Sequence, residues 1–479
     1  MIPATIFSEF SHSARAAGSC AALIASRGAI SFRDVLADVC ALASHFAASS
    51  KTGAIAVLSE DPGHFLTAFL ACAALGRPAL VLDPALPPSQ IRRHAELYCP
   101  AVFAVDEKFA EPFASRSPLL LHQRPASAPI SLPEVDSEAE FYWGLTAGTT
   151  GEPKLFARSQ RSWLKSFEAA EQVFSFPSGS QILIPGPLSH SLFLFGAVHA
   201  LCRGHTVIAP GVFRPDRAAA TAKQATHLYV VPFMLTEMLN AGMSDNLRTI
   251  FCGGAKLPPE LRKRCRSLLP HADLVEFYGA SETSFISWHS TKMPSPDDSV
   301  GGVFPSVSIE IRSPKGEPLT QGVEGEIYVK SPMLFARYVG GPPSPEWFTV
   351  GDIGFTDRGG FLHLTGRKNR SINSKALKIR PEPIEHALLE LPGVLRAAVI
   401  EMPDAKRGSI AVAAIEFECG KALSRGVVSR HCRTKLGAGL SPHRFYAAEL
   451  LPMTSSGKIA LARLRQALIS SDPGFYELI

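Results

Sequence analysis

No C-x-x-C pair occurs in the 479 residues, and the nine cysteines, an odd number, are scattered from Cys20 to Cys432. That argues against a disulfide framework or a zinc site and fits a reducing, cytoplasmic setting. Long apolar runs are lacking too. Mean hydropathy is slightly positive at +0.11, yet no run reaches the roughly 18 residues that span a bilayer. The richest stretches, Phe65 to Leu75 and Leu192 to Leu201, are short and bounded by Gly, Pro or His, as expected of buried core helices. The start, Met1-Ile2-Pro3 with an early Glu9, lacks the basic segment and apolar run of a signal peptide, so none is expected. There is no internal repeat and no low-complexity tract.

With 46 % hydrophobic and 19 % charged residues the composition is that of a packed globular protein rather than a disordered one. The length exceeds one ordinary core, so two or more domains are expected. The formal net charge of +5 is unevenly spread: residues 370–479 hold 16 Lys and Arg against 10 Asp and Glu. A basic segment of this kind suits a polyanionic partner or is simply a solvated surface.

The first third alternates short apolar runs with helical patterns. Strands are expected at Ile55–Leu58, Ala79–Leu82 and Val102–Val105, with helices over Phe65–Leu75 and ending at His94–Tyr98. The pattern resumes with strands at Gln181–Ile184, Thr206–Ile208, His227–Val230 and Thr249–Cys252 and a helix near Phe195–Leu201. Strands alternating with helices imply α/β layers around a largely parallel sheet. Beyond residue 300, Val307–Arg312 and Glu326–Val329 suggest a small β-rich unit, and Gly340–Pro345 a loop. A compact α+β segment follows, with a helix at Ile384–Leu391 and strands at Ala397–Glu401 and Ala411–Phe417. Charged residues interrupt the apolar pattern at Arg367-Lys368-Asn369-Arg370. The expected division is a large domain over residues 1–368 and a small one over 369–479.

The sharpest motif is Thr146-Ala147-Gly148-Thr149-Thr150-Gly151-Glu152-Pro153-Lys154. Its glycines permit positive φ and close backbone approach. Its threonines supply hydroxyls, and Lys154 a mobile cation. Together these suit a polyphosphate. It is not a Walker A loop, because no Gly-Lys-Ser/Thr stands at the required spacing. Taken alone, such a loop is as readily a hydrophilic turn.

The loop resembles the signature of the adenylate-forming superfamily, which includes acyl-CoA synthetases, nonribosomal adenylation domains and firefly luciferase. Further segments are similar to family motifs, in family order. They are Leu75 to Pro84; Tyr278-Gly279-Ala280-Ser281-Glu282; Gly351-Asp352 with Gly366-Arg367; and Pro452 through Gly457-Lys458. The resemblance covers roughly residues 20–465. It implies ATP, Mg²⁺ and coenzyme A as cofactors and a two-step reaction, in which a carboxylate attacks the α-phosphate of ATP and a thiol then takes the acyl group.

By the same resemblance, Thr146, Gly148, Thr149, Thr150, Gly151 and Lys154 bind the β- and γ-phosphates. Tyr278 and Gly279 lie at the adenine, Gly254 belongs to the ATP-binding set, and Ser281 offers its hydroxyl to the α-phosphate. Glu282 holds the metal. Asp352 accepts from the ribose hydroxyls, and Arg367 donates to ribose or phosphate. Asn369 is the hinge. Lys458 bridges carboxylate and α-phosphate in the transition state. Pro187-Leu188-Ser189-His190 places His190 beside the carboxyl group, and Phe193, Val231, Gly253 and Ala255 line the acyl pocket. No Asp occurs from Pro187 to Leu201, which argues against amino-acid substrates, and Leu192 to Phe195 suggest an apolar acid.

Several positions depart from the pattern: Ala147 for Ser, Leu155 for Gly, Asn369 at the hinge, Ala376 for Gly beside the thiol tunnel, and Pro383 for Glu. The resemblance implies an acyl-CoA synthetase, with a fatty acid favoured over an aromatic one. The alternative acceptor is the phosphopantetheine of an acyl or peptidyl carrier protein. No nucleic-acid partner is expected. Retention of Glu282, Asp352, Arg367 and Lys458 together argues against a non-catalytic nucleotide-binding relative.

Overall fold

The computed structural model describes residues 4–123, 131–146, 154–243, 246–370, 372–374, 377–404, 408–454 and 457–479. The two apolar stretches are helices Pro62–Ala74 and Ser191–Cys202, and nearly every residue of each is buried. A helix that is apolar all round needs cover on all sides. Pro62–Ala74 finds it between two sheets. It touches Ala21–Ala25 of one, and Ile55–Leu58, Ala79–Val81 and Glu140–Thr146 of the other.

The first sheet has nine strands among the described residues. Their order is Gly302–Val303, Ser284–Ser290, Asp273–Ala280, Thr249–Cys252, His227–Val230, Gln181–Leu183, Thr206–Ile208, Ala21–Ala25, Gly28–Ser31. The second has seven, in the order Arg337–Tyr338, Lys154–Ser159, Glu140–Thr146, Ala79–Val81, Ile55–Leu58, Val102–Val105, Leu119–Leu120. Both are parallel through the middle and antiparallel toward an edge. A third, antiparallel sheet of four strands joins Ser308–Arg312, Gly325–Lys330, Asp352–Thr356 and Leu362–Arg367.

The chain's last part has its own apolar core, including Ile372, Ile384, Val399, Ile415, Val428 and Phe445. It surrounds a four-stranded sheet of Val394–Asp404, Gly408–Phe417, Arg444–Ala448 and Phe475–Glu477. Helices Pro381–Leu389, Arg425–Leu436 and Leu461–Ile469 accompany it. The architecture is therefore a large α/β domain followed by a small α/β one. Strands Ile55–Leu58, Val102–Val105, Thr206–Ile208, His227–Val230 and Thr249–Cys252 lie where the apolar runs placed them. The antiparallel pairing of Glu140–Thr146 with Lys154–Ser159, around the glycine- and threonine-rich loop, was not anticipated from the sequence pattern. All nine cysteines are free thiols.

Parallel strands deliver their following loops to one edge of a sheet, where open α/β folds bind ligands. Val231, Gly253–Ala255 and Asp83 lie just past the carboxyl ends of three such strands.

On the far side, Phe176 stacks against His227 and His205 at centroid distances of 5.3 and 6.2 Å and meets His199 edge-on at 4.9 Å. Burial drives the His205 and His227 pKa values down to about 4. The folded protein therefore holds both rings neutral, while the unfolded chain takes up protons below about 6.5. Stability is complete above that pH and is lost as pH falls toward 4. The urea midpoint should drop over this window. His205→Phe, which keeps the stacking and removes the titration, should flatten the drop. An unchanged midpoint between pH 6.5 and 4.5 would contradict this.

Candidate active site

The strand Asp273–Ala280 ends in a tight turn that folds back into Ser284–Ser290. Gly279 is required there: a Cβ would lie 1.7 Å from the Ser284 carbonyl oxygen. The Thr283 hydroxyl accepts from the Ala280 N–H at 3.0 Å, and Ser284 adopts φ +57°, a left-handed value that costs a non-glycine residue about 1–2 kcal/mol.

The turn is held by Arg158. This side chain is 0 % exposed, and its guanidinium donates to the Ser281 carbonyl at 2.9 Å, the Ser284 hydroxyl at 2.8 Å and the Met333 carbonyl at 2.7 Å. It also donates to the hydroxyl and carbonyl of Ser162. Burial works against its charge, and Tyr142 and Glu282 favour it. Sequence reasoning does not single out Arg158 as a site residue. The signal that marks it is a cation inside the otherwise apolar strand Leu155-Phe156-Ala157.

Glu282, 6 % exposed, accepts from the Tyr338 hydroxyl at 3.0 Å, and its backbone carbonyl accepts from the Phe335 N–H at 2.7 Å. Lys154 lies over the Tyr338 ring at 5.1 Å, and Thr146 pairs with Lys154 across the hairpin. Gly148, Thr149, Thr150 and Gly151 lie outside the described residues, as do Ala147 and Ala376. The Ser281 hydroxyl accepts from that of Ser191 at 3.0 Å, and Ser191 is also 3.0 Å from the Tyr142 hydroxyl.

The buried carboxylate of Asp352 accepts from the Tyr278 hydroxyl at 2.5 Å and from Arg367 Nε at 2.7 Å. Burial and then Asp352 push the Tyr278 pKa upward. Burial opposes the charge of Arg367, but Asp352 outweighs it and raises that pKa.

His190 caps the helix Ser191–Cys202, its carbonyl accepting from the Leu194 N–H at 3.0 Å. Its Nε2 is 3.7 Å from Asp83 Oδ2, and Ser189 donates to Asp83 Oδ1 at 3.2 Å. In the sequence Asp83 stands out only as part of the segment Leu75 to Pro84. Burial lowers the His190 pKa, and Asp83 opposes that while Lys458 adds to it.

Lys458 sits at the end of a small hairpin. Thr454 N–H donates to the Lys458 carbonyl at 2.7 Å, and Ala460 N–H to the Pro452 carbonyl at 2.7 Å. Gly457, at φ +76°, rests on the wall of the large domain, where an added Cβ would meet Val231 Cγ2 at 2.8 Å. Lys458 is an exposed residue, yet desolvation by surrounding protein lowers its pKa; Arg367 adds to this, and Asp352 and Glu282 oppose it.

The structure thus gathers Tyr278, Ser281, Glu282, Asp352, Arg367, His190, Val231 and Lys458. Gly254, at φ +84°, adjoins Val231, Gly253 faces the Phe277 ring, and Ala255 is exposed. Phe193 is 1 % exposed with its ring against Gly186, the position of a core residue.

Arg158→Met should lower stability by about 3 kcal/mol, because it strands buried acceptors on three segments. Urea denaturation with an unchanged slope would measure this. A loss below about 0.5 kcal/mol would show that Arg158 does not hold the turn.

The profile of the AMP-binding enzyme family matches residues 10–339, and that of the AMP-binding enzyme C-terminal domain residues 383–458. "Uncharacterized acyl--CoA ligase YhfT" of Bacillus subtilis (strain 168) is 38 % identical over 437 residues, covering 87 % of this chain and 88 % of the relative. "Putative long chain fatty acid-CoA ligase VraA" of Staphylococcus epidermidis is 32 % identical over 334 residues, covering 69 % of this chain and 72 % of that one. Among solved structures, o-succinylbenzoate CoA synthetase from Bacillus subtilis, in complex with its acyl-adenylate intermediate, superposes with a TM-score of 0.86 at 24 % identity. It covers 96 % of this chain and 97 % of that one, a likeness of fold. Two family profiles along the chain and a relative of 38 % identity over most of its length establish that the protein belongs to the AMP-binding enzyme family.

Proposed function

We propose that the protein activates a fatty acid with ATP and Mg²⁺ and passes the acyl group to coenzyme A. The observation that carries this reading is the seating of the Lys458 hairpin on Val231, with Lys458 in the electrostatic company of Asp352, Glu282, Arg367 and His190. A cation among ribose-, metal- and acyl-side groups is what the first half-reaction requires. There the carboxylate oxygen bonds to the α-phosphorus as the bond to pyrophosphate breaks, and negative charge builds on the phosphates. In the second half-reaction the thiol sulfur attacks the acyl carbon and AMP leaves.

In this reading Thr146, Thr149, Thr150 and Lys154 hold the β- and γ-phosphates. Tyr278 lies against the adenine, Asp352 and Arg367 hold the ribose, and Ser281 donates to the α-phosphate. Glu282, a buried oxygen donor suited to a hard cation, would hold Mg²⁺, which supplies charge neutralisation at the phosphates. His190 orients the carboxyl group. A fatty acid is favoured by the relative named as a long chain fatty acid-CoA ligase. The cytoplasm is proposed as its location: all cysteines are free, and among the described residues no helix is long and apolar enough to cross a membrane. The division is proposed between residues 368 and 369, with Asn369 as hinge.

Pyrophosphate release, screened over fatty and aromatic acids with coenzyme A or a holo carrier protein as acceptor, tests the reading. Loading of the carrier without transfer to coenzyme A would replace the acceptor. Lys458→Ala should cut pyrophosphate release about 100-fold or more while a supplied acyl-adenylate is still converted to thioester. Equal loss in both steps would refute this division of labour. Asn369→Pro, which fixes φ and removes an N–H, should keep pyrophosphate release and lose transfer. Transfer at the wild-type rate would rule out alternation about this residue.

A further inference from the structure

Arg396 belongs to the small domain, on strand Val394–Asp404, directly across from Glu416 on Gly408–Phe417. Its guanidinium binds in three directions. One nitrogen, Nη1, donates to the buried carboxylate of Glu416. The guanidinium carbon lies over the Phe233 ring of the large domain, 4.7 Å from its centroid. The other nitrogen, Nη2, is 3.9 Å from Glu237. Phe233 and Glu237 are four residues apart on helix Pro232–Asn240, so they share one face.

Glu416 is also tied to the Lys458 hairpin: its second oxygen accepts from the buried Leu451 N–H at 2.9 Å. Pro452, which closes the base of the hairpin, follows immediately. At its other end Gly457 presses on Val231, one residue before the helix that Arg396 touches, and its would-be Cβ lies 3.7 Å from Phe233 Cβ. Two separate parts of the small domain therefore grip the same helix start. Glu416 links them.

We propose that Arg396 is a positioning residue for the first half-reaction: stacked on Phe233 and paired with Glu416, it fixes the base of the hairpin and so sets Lys458 over the acyl wall. This rests on the adenylation reading above. The contact belongs to the placement of the small domain in which Lys458 lies at the site. It has no part in the second half-reaction, for which the reading has the small domain swing away about Asn369. A guanidinium is needed rather than an ammonium, since only a planar fork can stack on Phe233 and address two carboxylates together.

The test uses the full-length protein and the acid that gives the most pyrophosphate in the panel above. Arg396→Met keeps the apolar stem and removes the fork. It should lower kcat for pyrophosphate release about tenfold with the KM for ATP little changed. Conversion of supplied acyl-adenylate and coenzyme A to thioester should stay at the wild-type rate. Arg396→Lys should recover part of the loss. Glu237→Gln should weaken release mildly, and its effect should shrink in the Arg396→Met background, because one contact is removed twice. Equal losses in both half-reactions would make Arg396 a general stabiliser, and no loss in either would remove it from the mechanism. Both outcomes overturn the proposal while wild-type pyrophosphate release leaves the adenylation reading standing. Absence of release from wild type with every acid overturns both.

Discussion

A buried positive charge held by hydroxyls and carbonyls is the constraint on which the site is built. Taking a guanidinium out of water costs several kcal/mol, and only charge-assisted hydrogen bonds offset it. Arg158 meets that demand with groups from the start of the helix that follows its strand, from the turn carrying Glu282, and from the segment reaching Tyr338. Because each acceptor is needed, the three segments cannot drift independently. The left-handed Ser284 and the glycine at 279 are local adjustments that let the turn meet this requirement.

The groups in front of that turn have opposing electrostatic needs. Asp352 holds a phenol and a guanidinium together, raising the pKa of both, while Lys458 is depressed by protein around it and by Arg367. Like charges are thus collected before a substrate arrives. In the proposed reaction their mutual repulsion is relieved when phosphates enter, so part of the cost of assembling the site is returned on binding.

What was legible in the sequence is what short spacing encodes. Apolar runs such as His227–Val230 gave strands, the all-apolar stretches gave interior helices, and the motifs around Tyr278, Asp352 and Lys458 marked residues that converge in space. The hidden part depends on distant partners. Nothing near Arg158 announces that its acceptors lie at Ser281, Ser284 and Met333, and nothing near Arg396 announces Phe233. Phe193 shows the converse: an apolar residue beside a functional motif reads as pocket lining, whereas packing on Gly186 gives it to the core. Twelve residues on, His205 likewise belongs to an aromatic stack that only the fold assembles.

The parallel pairing of Ala21–Ala25 with Thr206–Ile208 bears on how the chain is made. The Thr206 hydroxyl bonds the Ala21 carbonyl across 185 residues of sequence. During synthesis the first hairpin emerges early and waits, one edge open, until that partner leaves the ribosome. At roughly 5–20 residues per second the wait is on the order of ten to forty seconds. An unpaired strand edge is a template for other chains. Through that interval the nascent protein depends on chaperones, or on the shortness of the hairpin itself, to keep the edge from finding the wrong strand.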